Sequence, residues 1–229
     1  MPKRDPLVVT LLVLTGVTGL VDAVSFLGLG HVFTANMTGN VVLLGFAVAG
    51  APGLSIARSS TSLVAFLVGA ALGGRLGVAM ATAGRRRWLF TVAASEAALL
   101  VTAALVSIGF DIGAATPPSR LYAVIVLTAV AMGLRNATVR RLAVPDLTTT
   151  VLTLTLTGVA ADSSLAGGDN PRAGRRLASV ALMFAGAALG TVLLRLGLAL
   201  PLVVSGACVL AATAYAALST EGGEYPSLR

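Results

Sequence analysis

Apolar and polar positions divide the chain into long hydrophobic runs separated by short polar breaks. Leu7 to Gly30, Thr61 to Ala83, Leu89 to Phe110, Arg120 to about Ala137, Leu177 to Leu200 and Pro201 to Ser219 read as membrane-crossing helices. Such a helix takes about 20 residues at about 1.5 Å each. Two further segments, 32–50 and 147–161, are shorter and carry amides and hydroxyls where a crossing helix would meet lipid. Irregular or polar backbone survives at that depth only when buried in protein or lining a cavity. Both segments are therefore expected to be re-entrant or broken rather than to cross. In the second, TVLTLTLTG alternates Thr with apolar residues at a period of two, which predicts a partly extended stretch.

The pattern is also duplicated. GLVDAVSFLGLGHVFTANMTGNVVLLG, from Gly19 to Gly45, is followed 114 residues later by GLRNATVRRLAVPDLTTTVLTLTLTG, from Gly133 to Gly158. Gly19-Leu20 recurs as Gly133-Leu134, Asp22 falls opposite Asn136, and Thr34 opposite Thr148. GAALGG at 69–74 returns as GAALGT at 186–191, an offset of 117. The chain thus reads as two repeats, 1–116 and 117–229, joined through the Pro117-Pro118 linker. Gly69 and Gly73 make a small-xxx-small face for close helix packing, within one protomer or between two.

Composition fixes the class. Hydrophobic content of 56%, charged content of 11% and mean hydropathy of +0.93 belong to an all-α integral membrane protein. The first run is too long for a signal-peptide core and lacks a small-residue cleavage site, so it is expected to be retained. A net charge of +7 does not point to nucleic acid, because the arginines sit beside apolar runs and aromatic stacking residues are scarce. Cys208 stands alone, which excludes an internal disulfide and a cysteine-based metal cluster.

Charge also decides the number of crossings. With eight crossings the 16 basic residues divide evenly between the two sides and give no topology signal. With six, and the N-terminus inside, only Arg58, Arg120 and Arg195 fall outside. Three crossings per repeat is an odd number, so the second copy is inserted upside down. The expected architecture is about six transmembrane helices as two inverted three-helix repeats, each with a short re-entrant or broken segment. Both termini lie in the cytoplasm.

Polar groups inside such a bundle are functional candidates. Asp22 can bind a proton or cation or accept a hydrogen bond from a substrate; structurally it can pair with Arg135 or cap the TANMTGN segment. Asn36, Thr38 and Asn40 can contact a ligand or satisfy backbone groups freed where a helix breaks. Arg135 can hold an anionic solute or act as a positive-inside anchor. Asn136, Thr148, Thr149, Thr150 and Thr153 are the counterpart set, although membrane threonines usually bond back to their own helix. Glu96 is a second protonatable group or the partner of a polar neighbour, and His31 reads as interfacial. No G-x-S-x-G, H-E-x-x-H or GxxxxGK[ST] motif is present, so neither enzyme activity nor a cofactor is expected.

The two long motifs, in their order and spacing, resemble the YoaK-like family of bacterial membrane proteins, a domain of unknown function. That resemblance implies a small multi-pass inner-membrane protein of about six helices and carries over no functional residue. The residues themselves point to a secondary transporter or permease for a small polar or ionic solute, lodged in the bilayer and plausible as a homodimer. The competing reading is a non-transporting sensor or assembly protein whose polar kernel only clamps the repeats.

Overall fold

Helix starts follow local capping chemistry. Asp5 accepts a hydrogen bond from Leu7 N at 2.9 Å, and Pro6 opens α1, Pro6–Gly28. Asn36 caps α2, Met37–Val48, by accepting from Gly39 N at 3.1 Å. Ser55 caps α3, Ile56–Ala79. The remaining helices are α4, Arg85–Val106; α5, Pro118–Leu142; α6, Thr153–Ala161; α7, Ala173–Leu194; and α8, Ala199–Ser219. The computed structural model describes residues 5–219, so Lys3, Arg4 and Arg229 of the charge count lie outside the described residues.

Six of these helices are long and apolar enough to cross a membrane: α1, α3, α4, α5, α7 and α8. With 12 and 9 residues, α2 and α6 rise only about 18 and about 14 Å, short of a hydrocarbon core of about 30 Å. Several boundaries differ from the sequence reading: α3, α4 and α7 each begin and end four to six residues earlier than expected. α5 continues past Ala137 through Arg140 and Arg141, and stops at Ala143, whose φ of 49° is left-handed, two residues before Pro145. The Thr-alternating run is helical from Thr153 on, with Thr157 Oγ1 bonded back to Thr153 O at 2.9 Å. A helix satisfies its backbone internally, and among the described residues there is no strand for an extended segment to pair with.

The two halves exchange partners. α1 packs on α7, and its counterpart α5 packs on α3. α2 and α6 lie against α3 and α7, while α4 and α8 pack on each other and on α5 and α1. Every one of these pairings maps onto another, or onto itself, when the halves are swapped. The duplicated glycines make the contacts. A Cβ at Gly73 would lie 2.9 Å from the Leu134 carbonyl, and one at Gly190 2.8 Å from that of Leu20, the same contact offset by one repeat. The GAALGG and GAALGT faces are therefore used inside the protomer.

Helix directions follow from the same contacts. Arg135 reaches Leu14 O on α1, and Leu142 lies with Leu7 at one cavity end, so α5 runs antiparallel to its counterpart α1. Gly206 faces Ala97, and Ala216 lies beside Leu89, which makes α8 antiparallel to α4. The apolar core lies between α1, α4, α5 and α8, with Leu11, Val21, Leu100, Ile125, Met132 and Leu202 fully enclosed. α7 is the most exposed spanning helix.

Candidate functional site

The principal cavity is an open groove of about 900 Å³ over α1 and α7, flanked by α2 and the start of α6. It gathers sequence-predicted residues from both repeats: Asp22, Asn36 and Thr38 from the first, Thr150 and Thr153 from the second. Phe26, Phe33, Val42, Leu156 and Met183 supply apolar wall. Asn40, Arg135, Asn136, Thr148 and Thr149 do not line it.

Asp22 sits in α1 more than one turn before its end at Gly28, partly buried, and reaches the chain entering α2. Its Oδ1 accepts from Ala35 N at 3.0 Å, and the N–H groups of Asn36 and Thr34 also bond the carboxyl. It thus caps the TANMTGN segment and has no ion pair with Arg135. Asn136 does the equivalent work in the second half: its Oδ1 accepts from Thr150 Oγ1 at 2.7 Å, and its Nδ2 donates to Met132 O. Each half therefore ties the segment before its short helix to a polar residue one turn or more from the end of its first helix.

The remaining candidates divide by role. Asn40 is 1% exposed and clamps Phe33, accepting from its N–H at 2.9 Å and donating to its carbonyl at 2.5 Å, with Ser62 Oγ at 3.2 Å. Thr148 bonds Val151 O, and Thr149 is buried at a φ of 62° with its hydroxyl unpartnered. Thr38 and Thr153 are exposed on the groove. His31 closes the turn after α1, at a φ of 60° and edge-on to Phe26 at 5.2 Å.

Arg135 lies in the core rather than at a membrane boundary, 1% exposed. Its guanidinium pairs with Glu96 of α4, with Nε to Oε1 at 2.8 Å and Nη2 to the same oxygen. Nη1 donates to Leu14 O at 3.1 Å and Thr18 Oγ1 at 3.0 Å. One side chain thus joins α1, α4 and α5. Glu96 was legible as an acid in an apolar run; Thr18 and Ser62 gave no signal beyond being polar.

The segment leading to α6 is pinned at its other end by charge. Asp146 meets Arg172 at 2.7 Å, Arg175 at 3.4 Å and Arg176 at 3.2 Å, and Arg176 also meets Asp162 at 2.7 Å. Burial pushes the Asp146 carboxyl up, but hydrogen bonds from Arg175 and Arg176 and the charges of Arg176 and Arg172 outweigh it, so the group sits below its ordinary range. Arg58, the repeat counterpart of Arg175, donates to Gly30 O at 3.2 Å in the loop after α1. Among the described residues no group of three or more His, Cys, Asp or Glu side chains is placed to hold a metal.

Comparison with known proteins agrees with this architecture. The chain is 34% identical over 146 residues to the UPF0700 transmembrane protein YoaK of Bacillus subtilis (strain 168). That match covers 64% of this chain and 62% of the relative's length. No solved structure matches. The family described as "Protein of unknown function (DUF1275)" matches residues 10–215, from the first helix almost to the end of the last. A multi-pass bundle built on these motifs over nearly its whole length places the chain in the DUF1275 family, with YoaK among its relatives.

Proposed function

We propose that this protein is a secondary transporter or permease for a small polar or ionic solute, built as an inverted duplication in the bacterial inner membrane. The groove carries the reading: it draws Asp22, Asn36 and Thr38 of one repeat to the same opening as Thr150 and Thr153 of the other. Counterpart helices that run antiparallel support the inverted relation, and short interrupted helices in both halves are the usual marker of a transport site. Asn36, Thr38, Thr150 and Thr153 supply neutral hydrogen-bonding groups, and Asp22 the single charge. The described basic residues keep the bias toward cytoplasmic termini. The exposed face of α7 leaves room for a second protomer.

The test needs no knowledge of the solute. In a Cys208→Ala background, Thr38→Cys and Thr153→Cys in proteoliposomes are treated with a charged, membrane-impermeant thiol reagent. A solute path makes both react from water; two inert thiols mark a lipid-filled groove and end the permease reading. Uptake of any solute found to protect these thiols is then lost in Asp22→Asn.

One observation favours a second reading. Asp22, Asn40 and Asn136 all spend hydrogen bonds on the chain's own segments. A sensor or assembly protein, non-enzymatic as well, would use the kernel only as a clamp, and inert groove thiols are its signature.

A further inference from the structure

The groove leaves one polar assembly unused. α1, α4, α5 and α8 enclose a separate cavity of about 40 Å³, which shares no lining residue with the groove. Its lining includes Leu7, Leu89, Leu142 and Ala216, all near helix ends, together with Glu96 and Arg135. A cavity of that volume accommodates about two or three waters. Arg85 and Arg86 stand beside Leu89 and Ala216 where these helices end.

Glu96 is 2% exposed, and both Arg135 bonds fall on its Oε1; its Oε2 accepts no hydrogen bond among the described residues. Unlike the sealed hydroxyls of Thr34 and Thr149, this oxygen is not closed off, and a cavity water supplies the donor it lacks. The groups facing Glu96 are few. Arg135 and Thr138 of α5, Thr10 of α1 and Thr213 of α8 are the polar residues that share the cavity lining with it. Arg135 also holds Thr18 Oγ1 at 3.0 Å, one helical turn before Asp22 on α1.

We propose that Glu96 is a proton-binding site hydrated through this cavity, and that Arg135 transmits its change of charge to Asp22. A proton from cavity water adds to Oε2, leaving hydroxide equivalents to the bulk, while Oε1 continues to accept from Arg135. No other bond breaks, and the buried pair passes from neutral to net positive. The uncompensated guanidinium then acts on the Asp22 carboxyl. A second link runs through the next residue, Asn136, which holds Thr150 of the groove. The proton site stands on the cavity alone; its use as a coupling site rests on the permease reading.

The chain has three glutamates, Glu96, Glu221 and Glu224. The full-length Glu221→Gln, Glu224→Gln variant in lipid nanodiscs, with ¹³C-carboxyl glutamate, reports Glu96 alone by isotope-edited infrared spectroscopy. Reversible conversion between carboxylate and carboxylic acid within about pH 4 to pH 10 is expected. A Glu96 held in one state across that range overturns the proposal. Adding Asp22→Asn, which keeps an acceptor for Ala35 N, is expected to displace the midpoint by about one pH unit. An unmoved midpoint removes the link to the groove. Neither readout uses a solute, so inert groove thiols would end the permease reading without touching the proton site.

Discussion

Gly133 on α5 and Ala70 on α3 meet backbone to backbone: a Cβ at Gly133 would stand 2.7 Å from the Ala70 nitrogen. The repeat counterpart, Gly19 against Ala187, leaves 3.0 Å. In lipid, where apolar surface gives helices no drive to associate, such close approach supplies the packing energy. Gly133→Ala and Gly19→Ala are each expected to destabilise the bundle by about 1–3 kcal/mol through overpacking. Gly45→Ala, which meets nothing within 4 Å, is neutral or slightly stabilising. Unfolding titrations in mixed micelles separate the three.

The Glu96–Arg135 pair predicts strong coupling. Arg135→Gln leaves a buried carboxylate and costs about 3–5 kcal/mol. Glu96→Gln costs a similar amount by stranding the guanidinium, while the double substitution recovers part of the sum. A double-mutant cycle on unfolding free energies measures the recovery, and strictly additive losses would contradict the contact.

Asp146 sets an acid limit. Its folded carboxyl lies below the unfolded value, so the stability it adds is complete above about pH 4 and is lost as pH falls through the lowered value. Asp146→Asn is expected to remove that acid-side fall and to lower stability at neutral pH. Thermal unfolding of both forms from about pH 7 to about pH 3 checks the sign.

Asn40 predicts a local effect. Asn40→Ala strands the Phe33 N–H, while the Phe33 carbonyl keeps its bond from the Ser62 hydroxyl, at a cost of about 1–3 kcal/mol. Asn36→Ala removes only a helix cap, worth about 1 kcal/mol. Hydrogen exchange is expected to rise at 33–40 in both, and more in Asn40→Ala.

Much of the architecture was legible because membrane helices announce themselves by length and apolarity. Repeat motifs at fixed offsets also carry their packing partners with them. The short segments betrayed themselves by polarity. Partner choice was not legible: Asp22 and Glu96 are both acids in apolar runs, and only three-dimensional packing shows that Arg135 pairs with the one on α4. Nor could spacing tell Thr38, open to the groove, from Asn40 two residues on, which is sealed against Phe33. Alternation at TVLTLTLTG misled because a period of two says nothing when no neighbouring strand is present and lipid enforces internal bonding.

The exchange of partners between halves has a consequence for assembly during synthesis. α1 waits for α7 and α3 for α5, so a ribosome releasing only residues 1–116 has made helices whose seats do not yet exist. Severing the polypeptide in the 111–117 connection therefore yields two fragments that are orphans apart and interlock on co-expression, like two hands clasped.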